Sequence, residues 1–134
     1  MALHSKELFA SASVNPFPRA KPTMVLTKKF AALAGAPTLA VLTPVGVVTA
    51  TGLWGPWNNA NTPAGTGTIR GFVYPTALTL HATNEVIGTV MVAGEIHHDD
   101  VPLYGSETQP NLTAALKLDL GKAGIYVQGI TAAY

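Results

Sequence analysis

Twelve residues, Glu85 to Ile96, constrain this chain more than any other stretch. They read EVIGTVMVAGEI. Val86, Gly88, Val90 and Val92 fall on one side of a period-2 pattern, and Ile87, Thr89, Met91 and Ala93 fall on the other. Both sides are mostly apolar, which predicts a strand buried on both faces. β-Branched residues are frequent, and Gly94 gives the chain a place to bend. The segment is therefore expected at the middle of a compact β-rich core. No residue in it stands out as catalytic.

The flanking segments fit around such a strand. Ile69, Phe72, Val73 and Tyr74 make a short apolar run closed by Pro75, and Leu78 and Leu80 make another closed by Asn84. Leu39–Leu42 and Val45–Val48, punctuated by Thr43–Pro44, read as strand, turn and strand. Asn111–Leu120 gives the best helical pattern, with Leu112, Ala115, Leu116 and Leu120 on one face. Asn111 or Thr108 caps it, Gly121 ends it, and Lys117 and Lys122 suit the dipole of its last turn. Ile125–Ile130 closes the chain as a strand. The expected fold is mainly β with one short helix, a small barrel-like or α+β domain over residues 38–134.

Residues 1–37 read as an extended arm ahead of that domain. Ser5–Ala12 can form a helical turn or two. Pro16, Pro18 and Pro22 then oppose both helix and central strand, with Arg19, Lys21, Lys28 and Lys29 between and after them. Phe9, Val14, Phe17, Val25 and Leu26 are the candidate anchors of the arm on another chain, by addition of a strand to that partner's sheet edge. The plainer alternative is an arm folded back on its own domain.

Composition narrows the function classes. At 134 residues there is room for one domain and a tail. The formal net charge is +1, with no basic stripe of the kind that binds nucleic acid. There is no cysteine, so disulfides and thiolate chemistry are excluded. Charged residues make up 11% of the chain, against roughly 25% in ordinary soluble domains. A small domain so poor in charge is expected to hide surface against copies of itself or another protein. From Phe30 to Ile69 there is no charge at all. A membrane-spanning helix there is broken by Pro37 and Pro44 and by three glycines, so no membrane partner is expected. Glu7 and the scattered prolines argue against a secretory signal.

The remaining polar clusters carry no recognisable chemistry. Thr51–Thr68 is rich in Gly, Asn, Thr and Pro and reads as a loop. Trp54 and Trp57 in it can stack on a sugar, anchor a subunit contact, or cap the core. Gly65 and Gly67 lack the Lys and Ser/Thr of a phosphate loop. His97–His98–Asp99–Asp100 is the one cluster of metal-ligand types, but adjacent histidines point apart, and His4 and His81 have no helpful spacing. It is expected to be a solvated turn. Asp99 and Asp100 do not face a shared substrate. No catalytic residue, metal or cofactor is assigned, and the chain is not expected to be an enzyme.

The order of parts resembles the small head decoration proteins of lambda-type tailed phages. It runs through Leu39–Leu42, Val45–Val48, the Gly/Trp/Asn loop, GFV at Gly71–Val73, VIGTVMVAGEI at Val86–Ile96, the helix near Leu112–Leu120 and AGIYV at Ala123–Val127. The resemblance implies a β-rich fold with little helix and a homotrimer on the outer surface of an icosahedral head. Its partner would be the major capsid protein, and its N-terminal arm would become ordered on the shell. The alternative is a small carbohydrate- or host-surface-binding β module using Trp54 and Trp57.

Overall fold

The computed structural model describes residues 19–61, 65–105 and 112–128. Eight strands, a 3-10 turn and one α-helix follow in the order β1 (Ala20–Phe30), β2 (Thr38–Leu39), β3 (Pro44–Val47), β4 (Trp54–Pro56), β5 (Gly71–Val73), β6 (Leu78–Thr79) and β7 (Val86–His97). The 3-10 turn His98–Asp100, α1 (Ala114–Ala123) and β8 (Ile125–Gln128) complete it.

Among the described residues the fold is mainly β with a single short helix, as its patterning predicts. β7 is the central strand. It pairs with β1 along one edge, and with β5 and then β8 along the other. β1 meets β4, β4 meets β3, and β3 meets β5, so five strands return on themselves as a small closed ring. β8 adds to β7 in parallel beyond that ring, and β2 and β6 form a separate two-stranded pair.

Two apolar clusters fill this frame. One takes Phe30, Val45, Trp54, Val73 and Val90, a side chain from each ring strand, and so lies inside the ring with Leu39 and Leu80. The other takes Phe72 and Met91, the next residues on β5 and β7, and so lies on the outer face. There Trp57, Ile96, Leu120 and Ile125 join them beneath α1. Val90 and Met91, both fully buried, belong to opposite clusters, and here the expectation of a strand covered on both faces holds. It fails toward the start of β7, where Ile87 is 69% exposed.

Gly94 marks the irregular part of the ribbon. Its φ is +139°, and a Cβ there would lie 2.5 Å from the Lys21 carbonyl oxygen and 2.8 Å from Pro22 Cα. Two register shifts in β1, on either side of Met24, accompany this close approach. Both obstructing atoms are backbone, so Gly94→Ala must displace β1 itself. We expect a loss of about 3 kcal/mol, from strain at a positive φ plus overpacking. Gly52→Ala, also at positive φ but with open space around it, is expected to cost about 1 kcal/mol. Urea unfolding of the two variants checks the difference.

Three boundaries differ from the sequence reading. Residues 20–30 form β1 rather than part of an arm, because the strand's register with β7 tolerates Pro22 at a shifted, edge position. β4 lies inside the expected loop, held by Val45, Gly46 and Val47 of β3. The helix starts three residues later than expected, with Thr113 as its cap, the Leu116 N–H donating to Thr113 Oγ1 at 3.3 Å. It ends at Gly124 in the left-handed region, and Gly121 lies within it. Among the described residues no helix is long and apolar enough to cross a membrane.

Candidate functional site

β1 and β7 run side by side for ten register pairs, from Ala20 opposite Ile96 to Phe30 opposite Val86. Only the Phe30 end of β1 is buried. Directly opposed residues in an antiparallel pair share a face. Leu26, opposite Val90, therefore continues the ring's inner face outward, whereas Met24, opposite Ala93, falls on the Met91 side. Val25 opposite Met91 and Lys29 opposite Ile87 lie on that side as well. Met24, Val25, Leu26 and Ile87 are all exposed, Met24 to 51%. The ribbon thus presents apolar side chains to solvent on both faces at once. Tyr126, in register with Glu95 on the neighbouring β8, is exposed beside it. A contiguous exposed apolar surface marks a place where another molecule packs.

Of the expected arm anchors, Val25 and Leu26 lie on this ribbon. Phe9, Val14 and Phe17 fall outside the described residues. The strand that holds Val25 and Leu26 pairs with β7 of its own chain along its full length, so its fold-back is intramolecular from Ala20 onward.

A clamp fixes the start of β1. The Arg19 backbone N–H donates to Asp100 Oδ2 at 2.7 Å, its Nε donates to the same oxygen at 3.0 Å, and its Nη2 donates to Oδ1 at 3.2 Å. The Asp100 side chain is 2% exposed, and this hydrogen bond raises the Arg19 pKa above its ordinary value. The 97–100 segment is therefore not the solvated turn its composition suggests. It folds as a 3-10 turn with His98 and Asp100 buried, because Asp100 receives a basic partner from 81 residues away. No group of three metal-ligand side chains forms among the described residues.

Burial pushes the His98 pKa below its ordinary value of 6.5, and Lys117 on α1 pushes it further; Asp99 opposes the shift and His97 reinforces it. Well above pH 6.5 His98 is neutral folded or unfolded and has no effect. As pH falls below about 6.5 the unfolded chain takes up a proton that the folded chain resists, so stability must decline until the lower folded pKa is reached. Urea unfolding at pH 7.5 and 5.5 is expected to show this loss, and His98→Gln is expected to shrink it.

Trp54 and Trp57 sit on the inner and outer clusters respectively, 8% and 2% exposed. The Trp57 indole N–H donates to the Gly67 carbonyl at 3.1 Å. Lys28 Nζ stands 5.7 Å from the centroid of the Trp54 ring, and Phe30 packs against it at 6.5 Å. The two indoles also back a neutral cleft of about 400 Å³, which Leu33, Asn58 and Tyr104 help to line. Their burial makes both rings part of the core. A sugar-stacking site needs an open ring face, and these rings offer little of one.

The missed feature is the exposure of β1. Its signal was present in the alternation of basic ends and an apolar centre, but the prolines masked it. No protein-family model matches this sequence, and no curated protein matches it either.

Proposed function

We propose that this chain is a capsid decoration protein, a homotrimer that binds the outer surface of an icosahedral phage head and stabilises it against the pressure of packed DNA. The reading rests on the resemblance of residues 38–134 to such proteins. One structural observation supports it most: the β1–β7 pair carries Met24, Val25, Leu26 and Ile87 exposed, on both of its faces. An isolated soluble domain gains nothing from that arrangement, whereas a bridging protein needs apolar surface aimed outward. The 11% charge content fits the same need.

The work is mechanical. A cement protein joins neighbouring shell subunits, so that parting them breaks additional interfaces, each of ordinary size at roughly 1,200–2,000 Å². Summed over a closed shell, modest contacts give a large total. The test is co-sedimentation of the purified chain with expanded lambda-type heads stripped of their own decoration protein, alongside its mass in solution. Binding at saturating stoichiometry, with heads that survive higher temperature, is expected. A chain that stays monomeric and leaves every head undecorated overturns the reading.

A further inference from the structure

Among the described residues the outer edge of β1 is open. On one side β1 faces β7; on the other it meets β4 only at Phe30. Among the described residues no strand lies beside it from Ala20 to Lys28. The pattern of hydrogen bonds fixes which backbone groups face that edge. Tyr74 N–H donates to the Thr89 carbonyl, so Thr89 and Met91 bond toward β5 and Val90 bonds toward β1. Leu26, opposite Val90, therefore bonds to β7. Val25 and Thr27 turn their N–H and C=O groups the other way, as Ala31 does when its N–H donates to the Trp54 carbonyl at 2.9 Å.

We infer that the β1 edge is a docking strand for an extended segment of a different protein, apolar at its centre and carrying carboxylates toward its ends. Three observations point to that chemistry. Open backbone donors and acceptors are satisfied by an extended chain. The middle of β1, Thr23–Thr27, is uncharged and exposed. Its ends carry Lys21, Lys28 and Lys29, and no acidic residue lies between Arg19 and Phe30. A strand added at this edge lies about 4.8 Å from β1 and twice as far from the β7 line that carries Glu95 and, just before it, Glu85, so cations are its nearest charged neighbours. The segment that already pairs with β1 has the same make-up: β7 brings Glu95 opposite Lys21, and Glu85 just before β7 lies 3.7 Å from Lys29, around an apolar centre. A second copy of this chain is the wrong occupant, since edge-to-edge pairing sets lysines against lysines.

This inference names a surface and a partner chemistry; it rests on the capsid reading only for where such a partner comes from. The probe is a synthetic peptide with the sequence of residues 84–96, added to the full isotope-labelled chain. Amide exchange at Val25 and Thr27 is expected to slow at least tenfold on addition. A peptide with both glutamates changed to lysine is expected to bind at least tenfold more weakly. Thr27→Pro removes an outward N–H beside which no described strand lies, and is expected to abolish protection while the chain stays folded; Thr27→Lys serves if Thr27→Pro unfolds. Unchanged exchange, equal binding of the two peptides, or protection in the chain alone through self-association overturns the inference. Head binding separates the two proposals. Peptide docking without head binding removes the capsid reading and leaves this one. Head binding undiminished in Thr27→Pro, without peptide docking, does the reverse.

Discussion

Deleting residues 1–29 is expected to leave a chain that does not fold, whereas deleting residues 1–18 is expected to leave a cooperative unfolding transition close to that of the full chain. The first deletion removes all of β1 except Phe30, and with it nine of the ten register pairs that cover one edge of β7. Each backbone hydrogen bond contributes about 1 kcal/mol net, and whole domains are stable by only about 5–15 kcal/mol. Loss of the ladder alone is thus comparable with the total. It also severs the clamp from Arg19 to Asp100, leaving a buried carboxylate without its basic partner. The shorter deletion keeps Arg19 and every pairing of β1. Circular dichroism and thermal unfolding of the two truncations check this. A folded 30–134 fragment would mean that β1 is an accessory to the domain. The pair also sharpens the functional test, because only the shorter truncation can report on what residues 1–18 do at a shell.

The second large effect is expected at Trp57. Trp57→Ala should cost about 3–5 kcal/mol, the usual range for emptying a buried aromatic site. The ring is 2% exposed among Leu42, Phe72 and Met91, and its N–H holds the Gly67 carbonyl, so the variant loses packing and one hydrogen bond together. Trp57→Phe keeps much of the volume and should cost less. Chemical denaturation of both variants measures the difference. If Trp57→Ala instead kept full stability and lost only glycan binding, the ring would be a sugar platform and the carbohydrate reading would gain the ground that the capsid reading lost.

Much of the architecture was legible in residue order. The alternation in Glu85–Ile96 gave a strand with apolar residues on both sides, and Val90 and Met91 occupy separate clusters as that pattern demands. The helix and the last strand were legible from the spacing of Leu112, Leu116 and Leu120 and from Ile125. The candidate interface was less so. Val25 and Leu26 were readable as apolar anchors, but their place in a strand was hidden by Pro22, whose missing N–H argues against a strand until the register shift beside it is known.

Local pattern settled which segments extend, which one coils, and how little charge the surface could carry, because period and turn chemistry act over a few residues. Pairing across long separations was settled only in three dimensions. Asp100 is a buried partner of Arg19 rather than a solvated acid, β1 returns to its own β7 rather than leaving as an arm, and the indoles of Trp54 and Trp57 close the core. Burial and hydrogen-bond partners depend on what the folded chain brings alongside, and one-dimensional spacing does not specify that.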